Sequence, residues 1–138
     1  MRTAIDTNVL SALWSGEPAS QGIAELLGRA GDEGGLVICA PVYVELLAYP
    51  RVTRTFVEQF LATTRIVTDF LLDEAVWRES GAAYAAYAQR RRQSKDGPSK
   101  RLLVDFIVGA HASLKADRLL TLDAARYRTA FPKLVMMP

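Results

Sequence analysis

Short apolar runs, each followed by a longer stretch with helical spacing, recur along the whole chain, and this alternation restricts the fold more than any other feature. Thr3, Ala4 and Ile5 open as a strand, and residues 36–40, 65–68, 118–121 and 134–136 repeat the pattern. Runs of this length, rich in aliphatic side chains, suit buried strands better than helices. Helices are predicted between them over residues 8–14, 18–30, 42–49, 53–63 and 102–116, with a last helical turn over 124–130. Pro41 supplies a favoured first helical position, Pro50 ends the same helix, and Asp73 caps a further long one. That long helix carries Trp77, Gly81, Tyr84 and Ala88 along one stripe, and Val52, Phe56 and Phe60 recur at every fourth residue of an earlier one. Residues 94–99 read as a turn or loop by composition. Strands alternating with helices specify an α/β fold, a three-layer α/β/α sandwich around a mainly parallel sheet. With 138 residues, the chain is expected to form one domain spanning positions 1–138.

Composition removes several classes of function. No stretch near the N-terminus is apolar enough for a signal peptide. The longest apolar region, residues 102–114, is interrupted by Asp105 and His111, which excludes a membrane span. A cytoplasmic protein without membrane contact is expected. Cys39 is the single cysteine and lies inside an apolar run, so it reads as a small core hydrophobe. The net charge of +2 says little, but its distribution says more. Arg90, Arg91, Arg92, Lys95, Lys100 and Arg101 fall close together, opposed by Asp96 alone. Three successive arginines fan around a helix at about 100° each and cannot all face one ligand. Lys100 and Arg101 remain as candidates for contacting a phosphate backbone, beside the plainer reading of a solvated helix end.

The acidic residues fall at informative places. In an open α/β sheet, ligands bind beyond the carboxyl ends of the strands. Asp6 follows the first strand directly, Glu45 lies on the helix after the second, and Asp123 follows the strand over 118–121. Three acids therefore emerge on one edge of the sheet. Asp105 sits on a helix whose Leu103, Phe106, Ile107, Ala110 and Leu114 form one apolar face, with Gly109, Ala112 and Ala116 near Asp105 on the other. A helix apolar on nearly all sides is buried, and a buried carboxylate needs a partner. Asp6 and Asp123 could also serve simply as helix caps. Taken together, the four acids fit a metal site, because two carboxylates about 4 Å apart repel by about 4 kcal/mol at an effective dielectric of about 20. Without a cation, some would have to hold protons. All-oxygen ligation points to Mg²⁺ or Mn²⁺ rather than zinc. His111 lies about 240° round the helix from Asp105, so a packing or hydrogen-bonding role suits it better than ligation. Water activated by such a metal is a natural nucleophile for a phosphodiester.

The motifs that carry these acids resemble a known family. Ile5-Asp6-Thr7-Asn8-Val9-Leu10 resembles the opening motif of PIN domains, and Val42-Tyr43-Val44-Glu45-Leu46 their second acidic motif. The segment from Asp105 through Gly109 to Ala112 is similar to the third, and that from Ala116 to Asp123 to the fourth. Within the family the resemblance is greatest to VapC-type toxins of toxin–antitoxin pairs. It implies a homodimer, Mg²⁺- or Mn²⁺-dependent cleavage of RNA, and neutralisation by a small VapB-like antitoxin. It also implies that Asp6, Glu45, Asp105 and Asp123 are the metal-site acids and that Asn8 and Thr121 orient them. The final motif departs from its relatives, which often carry a charged residue before the acid and Gly-Phe soon after. Asp117 is a further acid, better suited to the end of its helix.

Other functions fit parts of the pattern. A haloacid-dehalogenase-like phosphatase also begins with an Asp after the first strand, but requires a second Asp where this chain has Asn8. A PIN-like RNA-binding module without catalysis, or a PIN nuclease outside any toxin–antitoxin pair, would share the same motifs.

Overall fold

Apolar side chains on both faces of a short strand require cover on both faces, and the chain supplies it by returning through a helix after almost every strand. The strands are β1 (Thr3–Ile5), β2 (Leu36–Cys39), β3 (Ile66–Asp69), β4 (Arg118–Leu120) and β5 (Met136–Met137). The computed structural model describes residues 1–94 and 102–137. Its five strands pair in the order β3-β2-β1-β4-β5, and every neighbouring pair is parallel. β1 lies at the centre, with Thr3 beside Leu36 on one side and Arg118 on the other. The chain moves outward from β1 in one direction through β2 and β3, then crosses to β4 and β5 on the other side. The gap between the carboxyl ends of β1 and β4 is therefore where the winding reverses, the usual place for a ligand in such sheets.

Helices α1 (Thr7–Trp14), α2 (Ser20–Glu33), α3 (Ala40–Leu46), α4 (Arg54–Thr64), α5 (Glu74–Gln93), α6 (Leu103–Lys115) and α7 (Ala124–Arg128) flank the sheet. The α/β architecture and its parallel sheet are those expected from the sequence. Boundaries moved where local chemistry decides them. Arg65 takes a left-handed backbone with φ of 58° and closes α4, so β3 begins at Ile66 rather than one residue earlier. α3 ends at Leu46 instead of reaching Tyr49, because residues 47–50 form turns. No helix among the described residues is long and apolar enough to cross a membrane. Lys100 and Arg101, like residues 95–99, lie outside the described residues.

The buried faces of two helices are rotated from their aromatic stripes. On α5 the core side is Val76, Ser80, Ala83 and Tyr87, while Trp77 and Tyr84 are exposed. On α4 it is Val57 and Leu61, with Phe56 exposed and Phe60 half-buried. Each true face has the expected spacing displaced by one residue, a turn of about 100°. Small residues let α5 lie close on α6, and the large rings work at the seam. Tyr84 meets Phe106 edge-on at 5.2 Å, and Phe56 and Phe60 enclose Trp14 together with Tyr49.

α6 passes through the middle of the molecule, and Asp105 to Ala112 are all buried. Leu103 and Leu114, expected on its apolar face, are exposed because they belong to its end turns. Gly109 permits a close approach inside the core: a methyl group there would stand 2.2 Å from Phe131 Cε2. Cys39 is buried at the end of β2, as expected, and burial pushes its thiol pKa up to about 12.

Candidate metal centre

Asp6 occupies the reversal point of the winding. Its backbone N–H donates to the Leu120 carbonyl at 3.0 Å, which continues the β1–β4 pairing one residue beyond the strand. Its extended backbone then caps α1, and Oδ1 accepts the Thr7 N–H at 2.8 Å. The other oxygen, Oδ2, accepts from Thr121 Oγ1 at 2.9 Å and from the Tyr127 hydroxyl at 2.7 Å. Capping is thus real but involves one oxygen only. Three donors fix the carboxylate, which leaves part of Oδ1 to face the rim.

Thr121 is the hub of this arrangement. Its hydroxyl donates to Asp6 and accepts from the Asp123 backbone at 3.1 Å and from Asn8 Nδ2 at 3.4 Å. Asn8 Oδ1 in turn accepts the Leu122 N–H at 3.2 Å, tying the first turn of α1 to the loop after β4. Glu45 is held from the other side, where Thr7 Oγ1 donates to its Oε1 at 2.6 Å. Thr7 therefore links two candidate acids through its backbone and its side chain.

Asp105 enters from the first turn of α6 and is buried. Burial raises its pKa and the negative charge of Asp6 adds to the rise, while Arg126 opposes both. Arg126 Nη1 lies 3.3 Å from Asp105 Oδ1, and its Nε lies 3.2 Å from Asp123 Oδ2. Asp123 also caps α7 by accepting the Arg126 N–H at 3.3 Å. Burial works against the charge of Arg126, but Asp105, Asp123 and Asp6 outweigh it and hold the guanidinium protonated.

The four acids therefore surround one end of the β1–β4 gap, with Asp6 and Glu45 joined through Thr7 and Asp105 and Asp123 joined through Arg126. Among the described residues, no three side chains are placed so as to hold one ion together. The donor set nevertheless suits a hard divalent cation: it is all oxygen, it carries excess negative charge, and a guanidinium already stands between two of its members as a cation. Asp117 lies at the opposite edge, accepting the Arg2 N–H before β4 begins. His111 is buried, and its Nε2 pairs with Asp69 at 3.1 Å, the hydrogen-bonding role expected for it.

Three residues here escaped the sequence reading. Arg126 and Tyr127 follow Asp123 by three and four positions, the helical spacing that returns a side chain to the same face, and that spacing was the available signal. Thr7 carried no signal beyond its place beside Asp6.

The comparisons agree with this geometry. The family model for the PIN domain matches residues 3–132. No curated relative matches the chain. Among solved structures, the chain is similar to VapBC-1 from nontypeable Haemophilus influenzae, with 16% identity and a TM-score of 0.67. That match covers 99% of this chain and 97% of the other, and at this identity it speaks for the fold alone. A family match over nearly the whole length, on a parallel sheet whose winding reverses at Asp6, leads to one conclusion: the chain belongs to the PIN domain family, a family of nucleases.

Proposed function

We propose that the protein is a Mg²⁺- or Mn²⁺-dependent endoribonuclease and the toxin of a VapBC-type pair, with Asp6, Glu45, Asp105 and Asp123 as its metal-site acids. The observation that carries this reading is the immobilised Asp6 at the β1–β4 gap, with a buried Asp105 close enough for the charge of Asp6 to disfavour its own. A divalent ion bound there would supply an activated water and neutralise charge developing on the phosphodiester. The chain's own residues do the rest. Thr121 and Tyr127 fix the orientation of Asp6, Thr7 holds Glu45, and Asn8 locks the loop that carries Asp123. Lys100 and Arg101 are assigned to RNA phosphates, since an acidic rim repels RNA and needs basic surface beside it. The family membership supports the nuclease activity, and the likeness to the VapBC-1 structure supports a VapB-like antitoxin partner; a homodimer rests on the family resemblance alone. The Asn8 amide is engaged by Thr121 and Leu122, so nothing at that position can act as the general acid of a dehalogenase-like phosphatase.

The test is cleavage of a structured RNA with Mn²⁺ by the wild type, Asp6→Asn and Asp105→Asn. Both variants are expected to lose at least about a hundredfold in rate, the scale on which a charge at the reacting centre acts, while keeping a cooperative melt. Wild-type rates in either variant would remove that residue from the site, and RNA binding without cleavage by the wild type would assign a non-catalytic role. Growth arrest on expression, relieved by the product of an adjacent gene, tests the toxin assignment. An unchanged salt dependence of RNA binding in Lys100→Ala/Arg101→Ala would free those two residues from RNA contact.

A further inference from the structure

Part of the negative charge at the rim is already offset from within the chain. Arg126 reaches from α7 across to α6, and its guanidinium contacts oxygens of both Asp105 and Asp123. A divalent ion shared by those acids would compete for the same two carboxylates. A guanidinium cannot give up its proton in this environment, so it competes as a permanent cation rather than as a switchable one. Its departure is open: the side chain is 36% exposed, and among the described residues its guanidinium contacts only these two carboxylates.

We propose that Arg126 is a built-in counter-cation that occupies the Asp105–Asp123 pair in the metal-free protein and must swing outward before a divalent ion can bind there. This rests on the metal-site reading above. It explains how a buried Asp105 is tolerated without metal, since the guanidinium offsets a charge that burial and Asp6 both disfavour. It also gives Arg126 two effects of opposite sign. The residue stabilises the metal-free fold and weakens metal binding. A purely structural ion pair would have only the first effect.

The experiment is Mn²⁺ binding, followed by calorimetry and by the free-ion paramagnetic resonance signal, on the wild type, Arg126→Gln, Asp105→Asn and the double variant. Thermal melts in chelator accompany each. Arg126→Gln is expected to bind Mn²⁺ about tenfold more tightly, since each partly exposed ion pair is worth up to about a factor of five, and to melt lower without metal. In the Asp105→Asn background the same change should lose most of its effect. If Asp105→Asn weakens Mn²⁺ binding but Arg126→Gln leaves it unchanged or weaker, the competition is refuted and the metal site stands. If Asp105→Asn leaves binding unaltered, the site reading falls and the proposal with it. Should Arg126→Gln fail to fold in chelator, Arg126→Lys replaces it. That variant keeps the charge but loses the two-pronged bridge, and it is expected to bind Mn²⁺ more tightly than the wild type. Wild-type affinity in Arg126→Lys would then count against the proposal.

Discussion

Adding one methyl group at Gly109 tests how the core sets the position of the site. The new Cβ would meet three carbons of the Phe131 ring at 2.2, 2.5 and 2.9 Å, all closer than packed atoms tolerate. Phe131 is buried and cannot turn into solvent. Its N–H donates to the Tyr127 carbonyl at 2.8 Å, so displacement of the ring pulls on α7 and on the two residues that contact the acids. Overpacking of a buried ring costs about 1–3 kcal/mol, and replacing a mid-helix glycine returns about 1 kcal/mol. With three ring atoms involved, Gly109→Ala is expected to destabilise by about 1.5 kcal/mol, a fall of about 5 °C in Tm for a domain of this size. Gly28→Ala on α2 is the control, since a methyl group there meets nothing within 4 Å and should stabilise by about 0.5–1 kcal/mol. Chelated protein melted by circular dichroism gives both values. A Gly109→Ala variant as stable as the wild type would refute the argument, and Phe131→Leu in the same background should recover part of the loss.

Two further expectations follow from single contacts. Tyr127→Phe removes a buried hydroxyl that donates to the Asp6 carboxylate, and should lower stability by about 1.5 kcal/mol in urea titrations; the loss should shrink in an Asp6→Asn background, and equal losses in both would show that the contact contributes nothing. His111 has a pKa lowered by burial and by the positive charges of Arg2 and Lys115, with Asp69 opposing. Its folded state therefore binds fewer protons than the unfolded chain, so this contribution is complete above the unfolded pKa of about 6.5 and is lost as pH falls below it. Melts at pH 7.5 and 5.5 should show a smaller acid loss for His111→Gln than for the wild type, and equal losses would place the titration elsewhere.

What the sequence determined by itself was the set of elements and the edge from which the acids emerge. Periodicity and turn chemistry act within a few residues, so strand 3–5, a second strand read over 36–40 and observed over Leu36–Cys39, and the helix through Asp105 were legible without any partner. The placement of Asp6, Glu45 and Asp123 after strands was legible for the same reason, because a parallel sheet sends every strand end to one side. The phase of α4 and α5 was not legible. Val57 and Phe56, or Val76 and Trp77, satisfy the same helical spacing, and only the space left by neighbouring helices decides which of them turns inward. There Val57, Leu61, Val76 and Ala83 turned inward while Phe56, Trp77 and Tyr84 stayed at the border, since close approach of two helices favours smaller volume over greatest hydrophobicity. The partners of the acids were hidden for a related reason. That Tyr127 reaches Asp6 and Arg126 reaches Asp105 depends on how closely α7 lies on α6, which Gly109 and Phe131 set through a contact more than twenty residues apart in the chain. Local propensity has no access to such distances; only the packed tertiary structure decides them.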